Sequence, residues 1–261
     1  MARGVVFETD RRITYAAEEL ESRGDTVTRI RTPEDAERLP EPEKTDYVIL
    51  PIRGTADGTF SVPPDTVNAD AFLRSLPAGT VVLSGISTPY EEGLPCRYFN
   101  FQKDPSFVQK NSMYTAEGVL LLLLSQTPES IFEESIDLLG DGNTGREIGK
   151  LFHRLGLTFR WMTKEGGSGR IPLAEWQKTK PSPVIVNTIP APVILPEQFA
   201  EPVRPCRIFD ISSGGKGMPE EAKHLPCVLY ENTPPLPGLA APASAGHLLV
   251  ELLQRKMQES G

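Results

Sequence analysis

The run Gly140-Asp141-Gly142-Asn143-Thr144-Gly145 has the residue types and spacing of a phosphate-binding turn. It is entered from the apolar segment 135–139 and left through 146–155, where Ile148, Leu151, Phe152 and Leu155 make an apolar stripe that Gly156 closes as a C-cap. In such a run the first glycine permits the turn, the second lets backbone N–H groups approach a pyrophosphate, and the third lets the helix pack closely. An ordinary glycine turn is the alternative, and the flanking strand and helix patterns favour the dinucleotide. In folds of this kind that bind NAD, an acidic residue ends the second strand. Here that strand reads Thr158-Phe159-Arg160-Trp161-Met162-Thr163-Lys164, so Thr163 and Lys164 stand where a 2′-phosphate lies, and NADP(H) is expected over NAD(H).

Other polar residues follow apolar runs and belong at the carboxyl edge of a sheet. Asn187-Thr188-Ile189-Pro190 comes after 183–186, and Ser212 opens a glycine-rich loop after 208–211. Both are expected to contact cofactor or substrate; the alternative is a self-satisfied turn for the first and a plain flexible loop for the second. Only three histidines exist. His153 falls in the helix after the glycine turn and His224 in a polar loop, whereas His247, near the start of the last helix, is the acid–base candidate or a structural residue. Arg11 and Arg53, in loops at sheet edges, suit bidentate capture of a carboxylate, unless they are only surface charge. Ser84, Ser87, Asn111 and Ser112 complete the candidate catalytic set, and Gly85, Pro237 and Gly238 join the two arginines as substrate-binding candidates. Across a bound nicotinamide, residues 84–87, Asn111 and Ser112 are expected to face Asn187, Thr188 and Pro237-Gly238. Cys96, Cys206 and Cys227 are odd in number and widely spaced, which fits neither a disulfide framework nor a zinc set; no metal is expected.

These residues need a scaffold, and the pattern supplies an α/β one. Segments 4–7, 11–23 and 26–30 read as strand, helix and strand, and 47–50 and 80–83 as further buried strands. The second half repeats the alternation at 135–139, 158–161, 184–186, 208–211 and 228–230. We expect two three-layer domains, Rossmann-like or flavodoxin-like, joined by a helix. Residues 1–112 form a flavodoxin-like substrate domain completed by the C-terminal helix 244–261, residues 113–126 the connecting helix, read as starting near 111, and residues 127–243 a Rossmann NADP-binding domain. The net charge of −8 lacks the clustered cations that a nucleic acid demands. The six-residue apolar run 119–124 is too short for a bilayer, and the polar start after residue 7 does not read as a secretory signal, so a cytoplasmic location without membrane contact is expected.

In combination, several motifs resemble the A subunit of bacterial dipicolinate synthase along nearly the whole chain. They are Ile49-Leu50-Pro51-Ile52, Leu83-Ser84-Gly85-Ile86-Ser87, Asn111-Ser112, Thr115-Ala116-Glu117-Gly118, the glycine turn, Asn187-Thr188-Ile189-Pro190, Leu236-Pro237-Gly238, Ala241-Pro242 and Ala245-Gly246. The resemblance implies an oxidoreductase that, with a flavoprotein B subunit, oxidises a dihydrodipicolinate-type cyclic dicarboxylate from the lysine branch to dipicolinate, with NADP as hydride acceptor, in the mother cell of a sporulating bacterium. Aromatisation of the ring makes orientation the main demand on the protein. The chain departs from the family at Asp141 and Asn143, where the family has an apolar and a basic residue; between Trp161 and Val184, where Gly166-Gly167-Ser168-Gly169 and a few polar residues replace most of a further helix and loop; and at 212–218, which lacks the family's proline and acid. Two other readings stand beside this one: a 2-hydroxyacid dehydrogenase-like enzyme, and a Rossmann-fold binding or scaffold subunit without turnover. A homo-oligomer is compatible with each.

Overall fold

The computed structural model describes residues 1–62, 65–200, 204–233 and 235–259. It divides into two compact units, Met1–Asn111 with Ala241–Gly261, and Ser112–Ala240. Both are α/β.

In the first unit, short apolar runs become the strands β1 (Arg3–Phe7), β2 (Thr26–Ile30), β3 (Tyr47–Ile49), β4 (Thr59–Val62), β5 (Asp65–Asn68), β6 (Val81–Ser84) and β7 (Arg97–Asn100). The helices between them are α1 (Arg11–Ser22), α2 (Pro33–Ala36), α3 (Asp70–Arg74) and α4 (Pro89–Glu92). Strands β2-β1-β3-β6-β7 pair in that order, all parallel, which is the flavodoxin-like order. β4 and β5 form a separate two-stranded antiparallel sheet that the sequence pattern did not announce. Asp10 caps α1 by accepting from the Arg12 N–H, and the same side chain pairs with the buried Arg12 guanidinium at 2.6 Å.

Helix α5 (Pro105–Gln126) runs through the boundary between the units. It starts six residues earlier than the sequence reading because Asp104 accepts from the Phe107 N–H (2.9 Å) and Pro105 has no N–H to satisfy. Asn111 and Ser112 therefore sit within the helix and do not open it.

The second unit contains β8 (Ile136–Leu139), α6 (Asn143–Leu155), β9 (Phe159–Thr163), β10 (Ile171–Pro172), α7 (Leu173–Trp176), β11 (Val184–Asn187), β12 (Cys206–Asp210), α8 (Glu220–Lys223), β13 (Val228–Asn232) and α9 (Leu236–Ala240). Its six parallel strands pair as β10-β9-β8-β11-β12-β13, the order of a complete Rossmann sheet, with the switch point between β8 and β11. One face packs Ile136, Leu138 and Val186 with Val119, Leu123, Ile148 and Phe152; the other packs Leu139, Met162 and Ile185 with Trp176, Ile194 and Phe199. Segment 162–183 is less thin than its polarity suggests. It holds β10 and α7, and Trp176 is buried with its indole N–H donating to Asp137 Oδ2 at 2.7 Å. Finally α10 (Pro242–Gln258) returns to the first unit and packs on α1; residues 260 and 261 of the expected helix lie outside the described ones.

Candidate functional site

At the carboxyl end of β8 the glycine turn meets the three demands of its sequence in different ways. Gly140 has φ +105°, and a Cβ there would strike the Thr188 hydroxyl. A Cβ on Gly145 would strike the Gly140 carbonyl oxygen, so the helix can approach only as glycine. Gly142 differs from both. Its φ of −62° suits any residue, and nothing lies within 4 Å of where its Cβ would be. It is the N-cap of α6 and provides no side-chain cap, so the first N–H groups of a thirteen-residue helix are left with the positive end of its dipole at an open surface. Gly142 and Asn143 are exposed, and Thr144 is half-buried with its hydroxyl 3.4 Å from that of Ser112.

The turn is fixed from two sides. Thr188 donates both its N–H (3.0 Å) and its hydroxyl (2.8 Å) to the Leu139 carbonyl, across the switch point. On the other side Trp161 donates its indole N–H to the Gly140 carbonyl at 2.8 Å, and the Gly140 N–H donates to Met162 O at 2.9 Å. Asp141 is half-buried with Oδ2 3.9 Å from Nη1 of Arg170, whose guanidinium lies 4.2 Å from the centre of the Trp161 ring. Thr163 is buried and accepts from the Gly166 N–H at 2.9 Å, while Lys164 is exposed beyond the end of β9.

Asn187 lies beneath the edge. It is fully buried, donates to Ile189 O and Asp210 Oδ1 (both 3.0 Å) and accepts from the Ile189 N–H. Asp210 gathers Asn187, the N–H groups of Ser212 (3.1 Å) and Gly217 (2.7 Å), and the Tyr230 hydroxyl (2.5 Å). Burial first, and then this bond, push the Tyr230 phenol above its ordinary pKa. Ser212 itself is 8% exposed, and its hydroxyl has no partner among the described residues. A buried hydroxyl left unpaired costs about 1–3 kcal/mol, which a donor or acceptor brought to Ser212 would recover. Pro190 is exposed at the same edge; Pro237 is buried and Gly238 half-buried in α9.

In the first unit, Ser84 ends β6 fully buried and donates to Glu91 Oε1 at 2.9 Å. Glu91, which sequence reasoning missed, is also fully buried; it accepts in addition from the N–H groups of Thr55 (2.9 Å) and Thr88 (3.2 Å) and the Tyr98 hydroxyl (3.1 Å). Thr88 and Glu91 form a capping box, a spacing that could have flagged it. Gly85 lets the Ile52 carbonyl approach where a Cβ would clash. Ser87 accepts from Asn100 Nδ2 (3.0 Å) and lines a cavity of about 420 Å³ with Tyr98, Asn100, Lys103 and Lys256. Arg11 and Arg53 are exposed, Asn111 is half-buried and Ser112 buried. His247 bridges two helices, with Nδ1 2.9 Å from Glu19 of α1 and Nε2 3.3 Å from Glu251 of α10. His153 packs on Phe159 and His224 pairs with Glu220. No group of metal-ligating residues occurs among the described residues, and no helix among them is long and apolar enough to cross a membrane.

No family model matches the chain. Among curated proteins, the A subunit of dipicolinate synthase from Bacillus subtilis (strain 168) is 25% identical over 236 residues, covering 83% of this chain and 79% of that protein. Among solved structures, the dipicolinate synthase A subunit from Bacillus halodurans superposes with a TM-score of 0.83 at 21% identity, covering 98% of this chain and 97% of that one. A D-isomer specific 2-hydroxyacid dehydrogenase family protein from Aeromonas salmonicida subsp. salmonicida A449 gives 0.57 at 14%, covering 100% and 97%. The chain resembles the dipicolinate synthase A subunit, as its motifs suggest, and has the two-domain Rossmann-type fold shared with dehydrogenase-type proteins.

Proposed function

We propose that this protein is an NADP(H)-dependent oxidoreductase of the dipicolinate synthase A type, acting on a dihydrodipicolinate-type cyclic dicarboxylate. The observation that carries the cofactor reading is Gly142: the fold does not require glycine there, and a pyrophosphate seated on the α6 N-terminus does. Ser212 fits the same group as an unspent buried hydroxyl at the end of β12. Bound there, the nicotinamide would supply the acceptor for the hydride as the substrate ring becomes aromatic by losing a hydride and a proton, the proton passing to water. The chain's own residues bind and orient. The α6 N–H groups with Asn143 and Thr144 would hold the pyrophosphate, Thr188 with Asn187 and Pro190 would shape the seat, and Thr163 at the end of β9 and Lys164 next to it stand in place of the carboxylate that selects NAD. Arg53 or Arg11 would hold a substrate carboxylate, with Ser84, Ser87, Gly85, Asn111, Ser112, Pro237 and Gly238 as further contacts. His247 is paired to two carboxylates, which suits a structural bridge as well as a proton carrier. Partnership with a flavoprotein B subunit, in the cytoplasm of a sporulating cell, completes the reading.

One observation favours a second reading, a nucleotide-binding subunit without turnover: Asp141 puts a carboxylate beside the pyrophosphate seat. The deciding experiment is a titration of the full chain with NADPH. Gly142→Val should weaken binding tenfold or more while lowering stability by only about 1 kcal/mol, the N-cap preference, or a few degrees in Tm. Unchanged affinity would overturn the site. Binding without hydride transfer to NADP from a dihydrodipicolinate-type substrate would favour the second reading.

A further inference from the structure

We infer that Arg170 selects the 2′-phosphorylated dinucleotide, and that Asp141 is the counter-ion which the 2′-phosphate displaces. This rests on the dinucleotide reading above and adds a residue to it. In an α/β nucleotide site the ribose 2′ substituent lies at the end of the second strand, where an arginine accommodates a phosphate. Of the three cations on β9 or in the chain between it and β10, two are poorly suited. Arg160 is committed, with Nε and Nη2 each 2.7 Å from the fully buried Asp137. Lys164 is exposed and offers a mobile point charge.

Arg170 is held where it is needed although it lies seven residues beyond β9. Ile171 pairs with Met162, so the chain folds back beside the strand, and Gly167 and Arg170 exchange backbone hydrogen bonds of 3.2 and 3.0 Å that close the loop between. The guanidinium stacks on Trp161, 4.2 Å from its centre, and Trp161 is itself bonded to the Gly140 carbonyl. The cation is thereby positioned from the glycine turn, by a platform that does not depend on Asp141.

The ion pair with Asp141 is loose. At 3.9 Å, with side chains 31% and 40% exposed, it has the length and hydration of a pair easily exchanged. A phosphate ester offers the planar fork two acceptors and more charge, and forms stronger, bidentate bonds. Asp141 therefore does less harm than its charge alone suggests, because Arg170 neutralises it until the phosphate arrives.

The test is calorimetric titration of the full chain with NADPH and NADH, and with the end-group probes adenosine 2′,5′-bisphosphate and AMP. Arg170→Gln should weaken NADPH and the bisphosphate tenfold or more and leave NADH and AMP within twofold; Arg170→Lys should recover part of the loss. If the wild-type chain binds both dinucleotides and Arg170→Gln leaves their ratio unchanged, Arg170 is not the selector and the site stands. If the wild-type chain binds neither, the dinucleotide reading falls and this inference falls with it.

Discussion

At the scale of single residues, the charge at position 141 decides how tightly the turn can hold an anion. A carboxylate beside a pyrophosphate repels it, and here it also competes for Arg170. Asp141→Asn should tighten NADPH binding several-fold at low ionic strength, with the gain shrinking as salt screens the exposed charges. Titrations at two salt concentrations measure this. Weaker binding at both would make Asp141 part of what positions the arginine. The glycines show what sequence can and cannot say at this scale. Gly140, Gly142 and Gly145 were recognisable together, but only the geometry separates the two that the fold requires from the one it does not. Arg170 was not legible, because its neighbours Trp161 and Asp141 lie nine and twenty-nine residues away and meet it only through strand pairing and a turn. Glu91 hid for a similar reason, since glutamate is rarely buried and the groups that satisfy it come from β6, β7 and the loop before β4.

At the scale of elements, β8 is fastened by Asp137. This fully buried carboxylate accepts from Arg160 on β9, from the Trp176 indole on α7, and from both the N–H and hydroxyl of Ser182 just before β11. Removing it would strand an indole N–H and the N–H and hydroxyl of Ser182, which the fold has already taken out of water, and leave the half-exposed Arg160 guanidinium without its partner. Asp137→Ala should destabilise the protein by about 3–5 kcal/mol, read as a shift in the urea midpoint at unchanged slope. A loss below about 1 kcal/mol would mean that water replaces these bonds. The sequence announced β8, α6 and the alternation of strands because those signals are local and periodic. It misplaced the start of α5, where the cap at Asp104 outweighs the more apolar pattern further on, and it missed β10 and α7, whose few apolar residues are spaced too closely for any period to show.

At the scale of the whole molecule, alkaline pH should be the sensitive limb of stability. Four of the six tyrosines, Tyr47, Tyr90, Tyr98 and Tyr230, have phenols held above their ordinary pKa, first by burial and then by neighbouring carboxylates; Tyr98 is pushed up to about 12, again by burial first. The folded chain keeps these protons at a pH where the unfolded chain releases them. The stability they contribute is thus complete below about pH 10 and is lost as pH rises through 12. Phenolate absorbance should rise together with loss of secondary structure over that window. Independent titration of the four at an ordinary tyrosine pKa, with the fold intact, would contradict it. The second unit carries one more consequence. Its sheet is anchored at the amino end of β8 by Asp137 and left open at the carboxyl end by Gly142, five residues on and up to ~16 Å away along an extended strand. Changes that far apart act independently on stability. Changes at the lip of the turn, Asp141 and Asn143 included, therefore act on what the turn can bind without unfastening the foot of the strand.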